Sequence, residues 1–291
     1  MNALWKLSKR NFTLFFRDRS SILFSLLSSA ILLIVFLVFL NKAYSNPELE
    51  KLLPGFSVIF QQWLMAGTLY TTTFSSALNA MGQYPNDQAL KISSDLMVTP
   101  IKRGTVVASY ILGSTLTTFA MSSIIFALTL INVFLRAGNP PALSDIALVL
   151  LAIAISSIFH TAFAFFLATF TKTARSYGSL GLVFHSISGF LAAIYIPIGD
   201  LSETVQKVFG FSPFFHAASL LRKAYTFSSF GRLSGDQYLP VVKDVKLALG
   251  INFSAAGVNV QTWQSVVYLL ICSLIFFALS VARISKSRER L

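Results

Sequence analysis

The sequence predicts an all-α integral membrane protein with six transmembrane helices, an N-terminal interfacial helix, and re-entrant outer helices between spans five and six. Three observations carry this. First, the 291 residues are 55% hydrophobic and only 12% charged, with 28 Phe, whereas a soluble domain carries about 25% charged residues. Second, six apolar stretches contain no Asp, Glu, Lys or Arg: 20–40, 56–82, 104–134, 146–171, 176–196 and 264–282. Each is long enough to cross a hydrocarbon core of about 30 Å. Third, with the N-terminus inside, the Lys and Arg of the short segments divide fourteen cytoplasmic against three outer (Lys42, Lys51 and Arg136). Positive residues stay on the cytoplasmic side. Both termini are therefore expected inside a cell membrane crossed several times, and a bacterial plasma membrane is the expected setting.

The net charge of +12 would point to nucleic acid in a soluble protein. Here the basic residues flank spans, so no nucleic-acid partner is expected and membrane lipid is. The single cysteine, Cys272, excludes an intrachain disulfide and a Cys-rich metal site.

Taken in order, residues 1–19 read as a cytoplasmic interfacial helix. Lys6, Lys9, Arg10, Thr13 and Arg17 recur at spacings of three and four, with Leu4, Leu7, Leu14 and Phe15 largely on the other side. Such a helix lies in the membrane surface; the plainer alternative is a positive flank of span one. Ala43-Tyr44-Ser45 resembles a signal-peptidase site, but the preceding basic region is long. The apolar run also exceeds the usual ~7–15 residues, so the segment reads as an uncleaved anchor. Spans one to five occupy 20–196, an outer region 197–263, and span six with its cytoplasmic tail 264–291. The whole chain, 1–291, forms one transmembrane domain.

The outer region opens on a broken stretch, 186–222. Span five stops at Pro197 and the chain turns through Gly199-Asp200. Ser202 is placed to cap a helix with Glu203 in its first turn and Gly210 at its end. Ser212 is placed to cap a second, with Pro213 at its first position, where the missing N–H costs nothing. Phe214 to Tyr225 makes roughly 18 Å of helix, too short to cross. Non-helical backbone at that depth is tolerated only against protein or a cavity.

Three features bear on chemistry. There is no Gly-rich phosphate-cradling motif and no carboxylate within the spans, which argues against an ATP site, an ion-coupled carrier and an intramembrane acid–base enzyme. Two stripes of small and polar residues run along spans. Gln61, Met65, Thr68, Thr72, Ser75 and Asn79 share a face of span two; Gly178, Gly181, His185, Ser188 and Ala192 share one of span five. Such stripes either pack helices closely or line a path. His160, His185 and His216 show no ligand spacing and read as hydrogen-bonded packing residues. Finally, 83–103 carries a short helix from Asp87 to Val98, stopped by Pro100. Leu90, Met97 and Ile101 form its apolar side; Asp87, Lys91, Ser94 and Asp95 form its polar side. It fits either a surface connector or a docking point for a soluble partner.

With these residues in view, the chain resembles, over nearly its whole length, the type-2 family of ABC-transporter permeases. Ser188-Gly189, Ile196-Pro197 and Leu201 look like the family's pattern at the end of span five. Phe211-Ser212-Pro213-Phe214 with Leu221-Arg222 is similar to its second pattern. Asp95-Leu96-Met97-Val98-Thr99-Pro100 looks like the end of its coupling helix, whereas Asp87-Gln88-Ala89-Leu90 departs from the family's Arg-Glu-Gly-Thr-like stretch; the coupling role is carried over for 94–100. The resemblance implies an ABC ATPase partner in two copies, holding the ATP and Mg that this chain does not bind. That partner would dock on 87–100 and on the N-terminal helix, through Arg10 and Arg17. It implies a second permease, in a homodimer, with spans two and five facing across the pathway. Pro197, Gly199, Asp200, Phe211, Pro213 and Phe214 would then form an outer gate. The expected function is a permease subunit of an ATP-driven exporter for a drug-, antibiotic- or toxin-like amphipathic molecule. Alternatives are export of a lipid-linked glycan or teichoic acid, and a stand-alone channel or ion-coupled carrier.

Overall fold

The computed structural model describes residues 2–36, 38, 47–92, 101–137, 142–233, 235–255 and 257–288. Helix α1 (Asn2–Arg17) and helix α2 (Arg19–Val35) meet at a corner of 76°. Asp18 makes the corner. Its backbone is extended, and its carboxylate accepts the Ser20 N–H (3.0 Å) and the hydroxyls of Ser20 and Ser21 (each 2.6 Å). This is the side-chain cap that an unpaired helix N-terminus needs.

A short helix α3 (Pro47–Leu52) leads into α4 (Phe56–Met81). Glu50 joins them by accepting the N–H groups of Gly55 (2.9 Å) and Ser57 (2.8 Å), with Gly55 in the left-handed region at φ 85°. Helix α4 is the axis of the fold. Almost every residue from Ile59 to Leu78 is buried, against α2, α6 (Arg103–Ala137) and α7 (Leu143–Ala168). After Gly82 the chain continues at once as α5 (Gln83–Ala89). Pro85 is tolerated because it stands in the first turn, where its absent N–H breaks no ladder bond.

Helix α8 (Ala174–Leu191) follows α7, and α13 (Thr262–Arg288) packs along α7 late in the chain. Among the described residues, three helical segments are long and apolar enough to cross a membrane: Gly104–Ile131, Leu143–Ala168 and Thr262–Ile284. A fourth follows if the bent pair α1 and α2 is one broken span. The six spans expected from the sequence are thus not all reproduced by helix length and composition. Helix α4 is diluted by Gln61, Gln62 and the hydroxyl run from Thr68 to Ser76, and α8 carries Arg175 within its 18 residues.

Between α8 and α13 lie a 3-10 turn (Ile198–Asp200), α9 (Glu203–Phe209), α10 (Pro213–Tyr225) and α11 (Phe227–Gly231). A second 3-10 turn (Asp236–Tyr238), α12 (Leu239–Ala248) and a small hairpin follow. In the hairpin, β1 (Ser254–Ala255) pairs antiparallel with β2 (Val258–Asn259). The breaks expected at Gly210 and before Pro213 fall where those residues place them, but α8 ends at Leu191 rather than at Pro197, because Ala193 takes the left-handed conformation at φ 50°. The chemistry differs at the caps: Ser202 and Ser212 stand at N-cap positions, but neither side chain accepts a cap hydrogen bond.

Helix α10 is buried along nearly its whole length, against α4, α7 and α13. An aromatic cluster marks the junction. The Phe214 ring lies 5.8 Å from Phe74, 5.6 Å from Phe159 and 5.1 Å from Phe163. Edge-to-face pairs of this kind add to the area they bury.

Candidate functional site

At one end of the bundle, a single carboxylate ties three helices. Asp87, in the last turn of α5, accepts from Arg10 Nη1 of α1 (2.8 Å), the Tyr110 hydroxyl of α6 (2.6 Å) and Gln83 Nε2 one turn earlier (2.6 Å). Its side chain has no exposure, whereas that of Arg10 retains 31%. The carboxylate raises the Arg10 pKa, chiefly through this hydrogen bond. Burying a carboxylate is tolerated only when it is paired and hydrogen-bonded.

Close approach of α1 to α6 makes the pairing possible. A Cβ on Gly113 would fall 2.9 Å from Asn11 Cβ and 3.0 Å from the Ser8 carbonyl, so only glycine admits this crossing. Ser8, Asn11 and Phe15 form the buried stripe of α1, and Asn11 donates to the Ser109 carbonyl (3.3 Å). The polar face expected to meet water or lipid headgroups is therefore divided. Lys6, Lys9 and Arg17 are exposed, and Arg10 turns inward.

This corrects the coupling segment. Asp87 does not begin a helix or present a docking side chain; it ends a helix begun at Gln83 and is consumed inside the chain. The helix stops at Leu90, and Lys91 is exposed in the left-handed region at φ 59°. Of the remaining coupling residues, Ser94, Asp95, Leu96, Met97, Thr99 and Pro100 lie outside the described residues.

The span-two stripe packs inside the chain. Thr72 shares a hydrogen bond with Ser29 Oγ (2.7 Å), and Ser75 donates to the Ser25 carbonyl (3.0 Å), both on α2. Gln61, Met65 and Thr68 are buried as well, and Asn79 alone of the stripe is exposed. The structure thus places this face in a helix–helix contact.

On α8, Gly181 and Ser188 are buried and His185 half-buried, its ring 6.0 Å from Phe74. Gly178 faces open space, and the neighbouring Leu182, Val183, Ile187 and Phe190 form an exposed apolar face. Gly189 is required where it stands: a Cβ there would meet the Tyr195 ring at 2.5–2.7 Å.

One of the three histidines fits the expected hydrogen-bonded packing role and two depart from it. His216 is hydrogen-bonded, to the Gly210 carbonyl through Nε2 (3.0 Å) and to Ser265 Oγ through Nδ1 (3.1 Å). His160 is fully buried with neither ring nitrogen paired among the described residues; it stands edge-on to Tyr70 and Phe74 at 5.1 Å. His185 Nε2 is likewise unpaired.

At the opposite end, Arg222 of α10 is 1% exposed. Its Nη2 donates to the carbonyls of Ala193 (2.6 Å) and Ala192 (3.3 Å), just past the end of α8, and its guanidinium lies 4.9 Å from the Trp63 ring. A cation there meets the negative end of a helix dipole and the face of an indole. No carboxylate reaches it among the described residues, and Nε and Nη1 have no partner. Around it, Pro197 is buried, Gly199 packs on Ala248 and Asp200 is exposed. Phe211 is exposed, with its carbonyl accepting from the Tyr268 hydroxyl (2.7 Å), while Pro213 and Phe214 begin the buried α10.

Sequence reasoning used Arg222 only as the end of a motif. The usable signal was a charge inside a short apolar helix, which ordinarily marks function or a dedicated partner. Tyr110, Gln83 and Gly113 gave no local signal, because their roles depend on which helices meet.

Apolar helices around the axial helix α4, three of them long and apolar enough to cross a membrane among the described residues, make this a helical membrane protein. The match to known families fixes which. The chain belongs to the ABC-2 type transporter family, whose model matches residues 2–226. Membrane subunits of this family work with ABC ATPase partners and normally lack an ATPase site of their own. No curated protein matches the chain.

Proposed function

We propose that the chain is the permease subunit of an ATP-driven exporter, moving an amphipathic hydrophobic molecule outward with energy from a separate ATPase. The observation that carries this is the Asp87 junction. It clamps α1, α5 and α6 into one unit at the base of the axial helix α4. Force applied by a partner at Lys91 and the following residues, including Asp95 and Leu96, would pass into α4 and α6 together instead of dissipating in a loop.

In this reading α4 and α8 complete the six spans, both termini are cytoplasmic, and two copies of the chain pair in a bacterial plasma membrane. The exposed Leu182, Val183, Ile187 and Phe190 of α8 would then face the second copy and an apolar cargo, with Gly181, His185 and Ser188 behind them. The stripe Gln61–Asn79, bonded to α2 at Thr72 and Ser75, would line the path only if α2 moves during the cycle. Pro197, Gly199, Asp200 and α10 would close the outer end.

The test is ATP turnover by the chain co-purified with its ATPase. Changing Asp95 or Leu96 should lower turnover without preventing assembly. Normal turnover in an assembled complex would defeat the coupling assignment.

A further inference from the structure

A cavity of about 390 Å³ opens at the same end as Arg222, between the start of α4, the 3-10 turn and α12. Its volume falls in the range of small-molecule sites. The walls are apolar. Phe56 and Phe60 come from α4, Val241, Val245 and Leu249 from α12 and its end, and Pro197 closes one side. Phe56, Phe60, Val245 and Leu249 are themselves buried, so they form a packed floor instead of a loose surface patch.

Two side chains break the apolar lining, and both are carboxylates: Asp200 on the turn and Asp244 on α12. Both are exposed, which places charge at the mouth and hydrocarbon at the floor. Among the described residues that line the cavity there is no Lys or Arg. Lys246 stacks on Phe230 (4.6 Å) and Glu50 holds the start of α4, while Lys243, next to Asp244 in sequence, is exposed and does not line the cavity. The shape is also fixed. Gly199 touches Ala248 with no room for a Cβ (2.8 Å), locking the turn against α12, and the Trp63 indole donates to the Leu249 carbonyl (2.6 Å).

From this we infer that the cavity between α4, the Ile198–Asp200 turn and α12 binds a lipophilic cation, its apolar body against Phe56 and Phe60 and its positive centre between Asp200 and Asp244. An aromatic floor supplies apolar and dispersion contact to such a molecule, and two carboxylates select its sign. A neutral amphiphile would gain only the floor, and an anion would be repelled at the mouth. Under the transport reading this is a release site and narrows the cargo to cations. Binding itself does not rest on that reading.

Binding can therefore be measured on the full chain alone in lipid nanodiscs, with neither ATPase nor ATP. Tetraphenylphosphonium is the probe, and the isosteric anion tetraphenylborate is the control, each corrected for uptake by empty nanodiscs. Asp200→Asn combined with Asp244→Asn should weaken tetraphenylphosphonium binding about tenfold, as expected for the loss of a nearby charge pair at a pocket mouth. Val241→Trp, which fills the cavity from a partly exposed position, should weaken it by at least as much. Tetraphenylborate should bind weakly and gain from the Asn changes. Unchanged tetraphenylphosphonium affinity in the Asn variant, or equal binding of both ions by the unmodified chain, overturns the assignment. Neither result would alter ATP turnover or its dependence on Asp95, so the transport reading stands or falls separately.

Discussion

Replacing Asp87 by Ala should cost about 3 kcal/mol of stability, and the structure shows how that figure arises. Asp87 has no exposure, and removing one member of a buried ion pair costs about 3–5 kcal/mol. Arg10 keeps 31% exposure, so the abandoned guanidinium recovers part of its hydration, which brings the pair contribution to about 2 kcal/mol. The Tyr110 hydroxyl, bonded to Asp87 at 2.6 Å, is buried and adds about 1 kcal/mol when left without its acceptor. Thermal unfolding of the detergent-solubilised chain, followed by fluorescence of its three Trp, should fall by roughly 5–10 °C. Arg10→Met alone should cost at least as much as Asp87→Ala, because it strands a fully buried carboxylate whose remaining donors, Gln83 and Tyr110, carry no charge. The double variant Arg10→Met with Asp87→Leu should recover more than about 1 kcal/mol relative to the sum of Arg10→Met and Asp87→Leu measured singly. If those effects add to within about 0.3 kcal/mol, Asp87 and Arg10 are not coupled, and the junction is not the clamp described.

Further outcomes follow from the same geometry. Gly113→Ala should push α1 off α6, since the new Cβ falls 2.9 Å from Asn11 Cβ; a loss of about 1–3 kcal/mol and faster tryptic cleavage at Arg17 are the readouts. Arg222→Lys should be less stable than Arg222→Leu in the same unfolding assay, by about 2 kcal/mol. An ammonium keeps the buried charge, loses the Nη2 position that reaches both carbonyls and the planar face beside Trp63, and is harder to dehydrate. The Asp18 cap should be acid-sensitive. The Ser20 and Ser21 hydroxyls hold its carboxyl below the usual carboxylate range, so the cap contributes fully above the ordinary value of about 3.9. Its contribution fades as pH falls through the lower folded value, and α2 amides should lose exchange protection only there, an effect absent from Asp18→Ala.

The helix breaks were legible because they rest on local chemistry. Pro213 at a first helical position and Gly210 at a helix end each act within one turn of chain, and they fell where expected; span five instead ends at Leu191, short of Pro197, where Ala193 takes the left-handed conformation. The polar stripes were legible as stripes but not as contacts. Periodicity reports that Thr72 and Ser75 share a face, and it carries no information on whether α2 or a second chain covers that face. Asp87 was misassigned for a related reason. In sequence it is a charged residue in a polar loop, and its burial depends on Arg10 and Tyr110 arriving from 77 and 23 residues away. Gly113 looks like any small residue in an apolar run until α1 crosses it.

The two ends of the bundle hold their charges by opposite means, and this bears on which end moves. At the Asp87 end a cation and an anion neutralise each other, with further donors on the same carboxylate, so separating the helices would strand a carboxylate in the interior. That cost keeps the junction closed as one body. At the other end Arg222 holds the end of α8 through two carbonyls, beside the rings of Trp63 and Phe215, and two of its donors have no partner among the described residues. Opening that contact strands no anion and exposes a guanidinium that water receives well. Displacing the end of α8 from α10 therefore costs less than splitting α1, α5 and α6. Under the proposed transport reading, a protein driven from one end and yielding at the other needs that asymmetry, and in this fold it comes from the placement of one aspartate and the absence of a second beside Arg222 among the described residues.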